Sequence, residues 1–406
     1  DENARKIIEA LALFKRPVLP LAVDYLLQPF VPGLDVPDII RRLIDTKIIT
    51  LDHTSDTVAL HPMDRAYAYR QFPEGRSEGG TYTRQALEQR AADYYGQLRT
   101  SPATCQTIND LEPQFLEFDH RIRAGDYDGA CRVLNLIEFD YLYRWGHYAR
   151  IITLRKCVLE GLTECTLRVI SLCSLGNAYR RLKNSEQALR LYQEALDIAR
   201  TIGNRQEEGN ILGQLSKVYY DLSQLEQAIQ CSKEALIIAS ERADQRSISE
   251  HLGHLGKIYY YLGELAHVIT REEEALAIAQ TIKARTREGE IRSLLGKTYH
   301  ALGHIERALD YYQKALFIAY EVGNRPVKGE SLAGLGTAYR ALGRFAQALD
   351  ATEDALSNAR KSSDRRGEIT TLCHLGKIYY TRGQIKRAIT HYQTALDIAH
   401  EAEEHW

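Results

Sequence analysis

The chain lacks most of the features by which a sequence declares chemistry. Its seven cysteines, at 105, 131, 157, 165, 173, 231 and 373, stand singly, with no CxxC pair. An odd, scattered set argues against a disulfide framework, so a reducing cytosol is the simpler home. No apolar run approaches the roughly 18 residues that a membrane helix needs, and there is no signal peptide. An excess of one charge is missing too, since 52 Lys and Arg meet 54 Asp and Glu for a net −2. Nothing in that balance calls for nucleic acid or an acidic membrane as partner. There is no GxxxxGK[ST] loop to cradle a nucleotide phosphate. No Ser/His/Asp grouping, carboxylate pair or Gly-rich phosphate loop occurs in a catalytic context, so the chain does not read as an enzyme. His251 and His254, three apart, could share a metal, but no third ligand lies near them in the sequence. They read instead as ordinary helix-surface residues, with no metal.

What remains is a globular composition, 44% hydrophobic and 26% charged over 406 residues, enough for two or three domains. The opening "DENARKII" has no initiator Met and starts in a helical pattern, so the chain reads as a piece of something longer.

Its strongest signal is self-similarity. "LGKIYYYLG" begins at Leu255, "LGKTYHALG" at Leu295, "LGTAYRALG" at Leu335 and "LGKIYYTRG" at Leu375, each 40 after the last. The register extends back to Leu175-Gly176 and Leu215-Ser216, and a Tyr follows each at 179, 219, 259, 299, 339 and 379. Ala-rich rows recur at 188, 228, 268, 308, 348, 388 and again seven later. A fixed period of this kind predicts a solenoid. Small residues mark where two helices cross closely, Leu and Tyr fill around the crossing, and Gly ends a helix in the left-handed conformation. Asn204, Asp244, Asn324 and Asp364 are expected to cap the next helix, with Ala284 the exception. The Leu-Gly-Tyr-Ala-Ala series resembles the tetratricopeptide repeat, here stretched from the usual ~34 residues to 40.

The expected fold is therefore all-α, a right-handed α-solenoid of six tetratricopeptide repeats over 166–402, begun by irregular helical repeats over 83–165. Residues 73–82, around "PEGRSEGG", read as a linker. Residues 1–72 read as three helices, a hairpin of "IITLD" and "TVALH", and a closing helix after Pro62, the plan of a small winged-helix domain. Such a domain can read DNA through its third helix, but Arg41 and Arg42 there sit among Asp35, Asp38 and Asp45, and residues 1–82 hold 10 basic against 12 acidic residues. A structural spacer is the better reading.

A winged helix ending in "LHPMDRAYAY", a linker, irregular helices and then repeats carrying Gly203-Asn204-Arg205 and Gly323-Asn324-Arg325 resembles the C-terminal part of bacterial STAND/NB-ARC NTPases. The likeness covers essentially the whole chain. It implies an NTPase module and an effector domain ahead of it, with ADP or ATP bound there and no cofactor in this chain. It implies as partners that NTPase module, a protein or peptide trigger, and further copies on activation. In the family's MHD-like motif the His reaches a phosphate of bound ADP; Leu60-His61 match, and Pro62 replaces the acidic third residue. Nucleotide sensing by His61 stands beside the plainer role of capping the next helix.

In tetratricopeptide repeats the first helix of each pair lines the concave groove, and the residue after the Gly points into it. That row contains Lys217, Lys257, Lys297 and Lys377; one turn on come Tyr220, Tyr260, His300, Arg340 and Tyr380. With Glu250, Glu290 and Glu330 alongside, the stripe suits a polar or anionic protein or peptide, or else is a balanced solvated face. Glu250 and Glu290 are expected to hold the lysines extended. The reading that follows is the ligand-sensing, autoinhibitory arm of a cytoplasmic STAND-type ATPase. A DNA-binding regulator with a repeat sensor and a plain interaction scaffold are the alternatives.

Overall fold

The structure, a computed structural model, describes residues 1–72, 82–101 and 104–404. It falls into two compact units, Asp1–Asn204 and Arg205–Trp406. The linker expected at 73–82 lies outside the described residues except for Tyr82, whose hydroxyl donates to Glu9 Oε2 at 2.8 Å while its ring stacks on Phe72.

The first unit opens with α1 (Glu2–Leu13), α2 (Pro20–Leu27) and α3 (Val36–Asp45). Asp1 and Asp35 cap α1 and α3 by accepting from Asn3 N and Asp38 N, and Pro starts α2, where its missing N–H costs little. Strands β1 (Ile49–Asp52) and β2 (Thr57–Leu60) pair antiparallel, Ile49 opposite Leu60, and α4 (Pro62–Arg70) follows. The Asp52 carboxylate closes the hairpin by accepting from Thr54 N at 2.9 Å and Ser55 Oγ at 2.8 Å. The elements run helix, helix, helix, hairpin, helix, the order read from the sequence. Its core, around Ile7, Leu13, Leu26, Leu27, Ile49 and Val58, also takes in Leu87 and Ala91 of α5 (Arg84–Gln97). Next come α6 (Glu112–Arg123), α7 (Tyr127–Ile137), a π-helical stretch at Glu138–Tyr143, and α8 (Tyr148–Leu159). The first regular pair, α9 (Cys165–Arg181) and α10 (Ser185–Thr201), closes this unit.

The second unit is five antiparallel pairs: α11 (Arg205–Asp221) with α12 (Leu225–Glu241), α13 (Gln245–Leu262) with α14 (Leu265–Thr281), α15 (Arg285–Ala301) with α16 (Ile305–Val322), α17 (Arg325–Ala341) with α18 (Phe345–Lys361), and α19 (Arg365–Thr381) with α20 (Ile385–Glu404). The chain is an all-α tetratricopeptide-type solenoid, and the row Ala228, Val268, Ala308, Ala348, Ala388 is at most 2% exposed. Turns recur every 20 residues on one left-handed residue. Gly263, Gly303, Gly343 and Gly383 end the first helices, and Ala243, Lys283, Gly323 and Ser363 the second. Asp244, Asn324 and Asp364 accept from the amide three residues on, and Ala284 does not. All seven cysteines are free thiols. Among the described residues, no helix is long and apolar enough to cross a membrane.

The small residue of each first helix receives the side chain sixteen residues on. A Cβ on Gly296 would lie 2.7 Å from the Tyr312 ring, and one on Gly376 2.6 Å from that of Tyr392. Gly336 takes Thr352, and Gly256 takes Glu272. Where Ser216 replaces the Gly, its partner shrinks to Ser232, and the two hydroxyls share a 2.7 Å hydrogen bond.

Candidate ligand-binding groove

The first helices of the second unit carry the Lys and Glu rows on one face. Lys217 Nζ donates to Glu250 Oε1 at 2.8 Å, and Lys297 Nζ to Glu330 Oε2 at 2.8 Å, each across a repeat boundary. Burial pulls both carboxyls up, but Lys217 and Lys297 outweigh it and hold them below the usual glutamate range. The third pair of the series does not form. Arg287 Nη1 donates to Glu290 Oε2 at 2.7 Å, so Glu290 does not hold Lys257 as expected from the sequence. The competitor is nearer, on the same helix at i, i+3. Among the described residues, Lys257 and Arg246 have no ion pair.

These residues bound a cleft of about 910 Å³ lined by Lys217, Arg246, Glu250, Lys257, Arg287 and Glu290. A second, of about 590 Å³, is lined by Lys297, Arg325, Glu330, Asn358, Arg366 and Thr370. The structure thus brings Lys217 and Lys257 to one cleft and places Lys297 in another. Tyr220 stands beside the first cleft, with its ring edge-on to His254 and Tyr261, each with centroids 5.9 Å apart. Tyr260, His300, Arg340, Lys377 and Tyr380 line neither cleft. Tyr260 and Arg340 are half-buried, Lys377 is exposed, and Tyr380 is 64% exposed. His300 is half-buried with Nε2 unpartnered.

His251 and His254 are not surface residues, which corrects the sequence expectation. His251 is 8% exposed against Gly213, whose missing Cβ makes the room. His254 Nδ1 lies 3.1 Å from Ser216 Oγ and 3.2 Å from Ser232 Oγ. Burial, then the charges of Lys217 and Lys257, drive its pKa down to about 3, so it is neutral in the fold. The helix face carrying 251 and 254 is covered by the preceding pair, which a flat reading of i, i+3 spacing does not see. No metal-binding group of three or more ligand residues occurs among the described residues.

His61 is exposed at the start of α4, where its Nδ1 accepts from Met63 N at 3.3 Å. Sequence reasoning missed Glu272 and Arg287. The first was visible as the charged letter of its 40-residue row, Tyr192, Ser232, Glu272, Tyr312, Thr352, Tyr392, whereas the row of Arg287 has no recurring residue to depart from.

A family model described as tetratricopeptide repeat matches residues 162–241, 287–361 and 328–401. A search of curated proteins finds no match. Among solved structures, the chain is similar over its whole length to a signal transduction ATPase with numerous domains, a STAND protein with a tetratricopeptide repeat sensor from Pyrococcus horikoshii, at 18% identity and TM-score 0.52. The chain spans 63% of that protein's length. Aspartyl phosphate phosphatase F from Bacillus subtilis is similar over 80% of this chain and 96% of its own, at 13% identity and TM-score 0.56. The Rap conjugation gene regulator of plasmid pLS20, solved in complex with the Phr* peptide, is similar over 98% of this chain and 96% of its own, at 13% identity and TM-score 0.50. These likenesses establish the fold, a tetratricopeptide solenoid.

Proposed function

We propose that this chain is the sensing arm of a STAND-type signalling ATPase, and that its repeats bind a protein or peptide trigger in the groove of the second unit. The observation that carries it is the cleft in which Lys257 and Arg246, without ion pairs among the described residues, stand beside the hydrogen-bonded Lys217–Glu250 pair. Cations left over from such a network are donors waiting for acceptors, which an acidic or carbonyl-rich chain supplies. The likeness to a STAND protein with a repeat sensor, and to a regulator solved with a peptide, supports the same reading.

In this reading, three helices, a hairpin and α4 form a winged helix between the repeats and an NTPase module outside this chain, where ADP or ATP binds. His61 faces that module, and its capping bond to Met63 is the resting arrangement. The trigger prefers the open arrangement, and it shifts the equilibrium only by its difference in affinity for the two states. Nucleotide exchange and assembly of copies in the cytoplasm then switch on an effector; catalysis belongs to those other parts. The test has two arms. The coding sequence ahead of Asp1 should encode a P-loop module, and the protein carrying it should lose trigger response in Lys257→Glu. A full response in that variant, or an upstream sequence with no P-loop, overturns the reading.

A further inference from the structure

One repeat breaks its own rule at the crossing slot. Its neighbours fill the slot with an aromatic ring or a short hydroxyl, but at 272 the residue is Glu. Glu272 is 1% exposed, and neither carboxylate oxygen has a hydrogen-bond partner. Its Oε1 lies 2.0 Å from where a Cβ on Gly256 would stand and 3.4 Å from one on Gly253. The Gly253 site is also where Arg287 rests, its Nη2 only 1.7 Å from such a Cβ. Arg287 is the one cation in a row of mixed residues, Leu167, Glu207, Ser247, Val327 and Gly367. A departure from the repeat and a row's one cation therefore meet over the two glycines of α13. Arg287 lines the 910 Å³ cleft, and Glu272, on the second helix of the pair, lies behind it.

Arg287 does not serve Glu272. It donates instead to Glu290 and to Ser249 O at 3.2 Å. The groups facing Glu272 are Arg287 and Glu290 from α15 and Lys257 from α13; beyond Lys257 lie His254, which is neutral, and Glu250, engaged by Lys217. On α14 itself, Glu273 is turned to the Tyr299 hydroxyl. Burial pushes the Glu272 carboxyl up to about 8 against the pull of Arg287 and Lys257, with Glu290 adding to the push. At neutral pH the cleft then has spare cations and no spare anion.

We infer that the α13–α15 face of the groove is a subsite for a carboxylate of an acidic peptide, held by Lys257 and Arg246 beside Arg287, and that Glu272 is its built-in competitor. Protonated, Glu272 leaves those cations to the ligand; ionised, it claims Lys257 and Arg287 from behind. The inference rests on the groove being the ligand-binding face. A carboxylate in the cleft disfavours a second negative charge nearby, so ligand binding and proton binding to Glu272 support each other.

The test uses the whole 406-residue chain and acetyl-triglutamate amide, whose carboxylates stay ionised across the range, in low-salt calorimetry. The native chain should bind it roughly tenfold more weakly at pH 9.5 than at pH 6.5. At pH 8, repeats in buffers of different ionisation enthalpy should reveal proton uptake on binding. Glu272→Gln should bind equally at both pH values with no uptake. Glu272→Tyr, which restores the residue of neighbouring repeats, should do the same and stands in if the Gln chain folds poorly. Lys257→Ala should lose most of the binding at pH 6.5. Proton uptake by Glu272→Gln, or an equal loss at pH 9.5 in that variant, removes Glu272 from the site. Failure of the folded native chain to bind the probe at pH 6.5 overturns the subsite, while trigger response in the longer protein still judges the groove reading separately.

Discussion

The pairs α13–α14 and α15–α16 are spelled from nearly the same letters and cross at the same small residue, yet they close the crossing differently. Tyr312 lays a ring over Gly296, whereas Glu272 puts an unpartnered carboxyl over Gly256. The first choice is packing: Tyr312 is 2% exposed and buries its ring between helices. The second gives up that area and buries a group that water would hold far better. The comparison teaches where a solenoid can carry chemistry. Gly, Leu and Ala around the slot must persist for the stack to form, but the slot itself tolerates Tyr, Ser, Thr or Glu.

The largest effect should come from undoing the difference. In the unfolded chain Glu272 titrates as an ordinary glutamate, near 4.5, and in the fold near 8. Between those values the folded state keeps a proton that the unfolded state releases. Stability therefore falls as pH rises from 4.5 to 8 and stays low above. Glu272→Gln removes that slope. It should gain on the order of 3 kcal/mol at pH 8.5 and nothing at pH 4, read from urea melts at the two values. An equal gain at both would mean that the carboxyl's charge is not what costs.

The crossings themselves can be set against each other. Gly296→Leu must drive a branched side chain into the Tyr312 ring, an overpacking cost of roughly 1–3 kcal/mol or more. Gly256→Ala meets Glu272 Oε1 at 2.0 Å, with its Cδ at 2.8 Å and Cγ at 3.0 Å. An unbranched side chain can turn aside where the rigid Tyr312 ring cannot, so Gly256→Ala should cost less than Gly296→Ala in paired thermal melts. Equal costs would show that the slot's occupant does not set the tolerance of the crossing.

The period, the helix pairs, the Asp and Asn caps and the small-residue crossings were legible because each follows from local chemistry repeated in register. Even the weak cap at Ala284 was visible. The ion pairs were only half legible. The rows of Lys and Glu are in the sequence, but whether Glu290 serves Lys257 or Arg287 depends on rotamers in three dimensions. His251 and His254 misled for a related reason: helix periodicity places a residue on a face, and only the neighbouring pair decides whether that face is covered.

A smaller effect lies in the turns, which the two pairs also build differently. Between them Lys283 is left-handed, and before α13 so is Ala243, while α16 ends on Gly323 in the same conformation. An L-residue pays roughly 1–2 kcal/mol there, and Gly returns part of the gain through greater freedom when unfolded. Ala243→Gly should stabilise by about 1 kcal/mol, and Gly323→Ala should destabilise by a similar amount, both measured as shifts in denaturation midpoint. A loss in Ala243→Gly would place a packing role on its methyl group.

The smallest effect on stability should accompany the largest on binding. Lys257 has no ion pair to lose, and Lys297 loses one with Glu330 in which the carboxylate side chain is 54% exposed. Pairs of that kind contribute about 0–1 kcal/mol. Lys257→Glu combined with Lys297→Glu should therefore leave the melting temperature within a few degrees of the native chain. The groove, however, changes sign. Lys257→Glu sets a carboxylate beside Glu290 and over Glu272, and Lys297→Glu sets one against Glu330, so an acidic ligand meets repulsion at both clefts. The single variants separate the two repeats. If the α13–α15 face is the anchor, Lys257→Glu alone should abolish capture of the trigger, and Lys297→Glu alone should weaken it several-fold. The reverse order would move the anchor to the second cleft, where Arg325 and Arg366 take the place of Arg246 and Arg287.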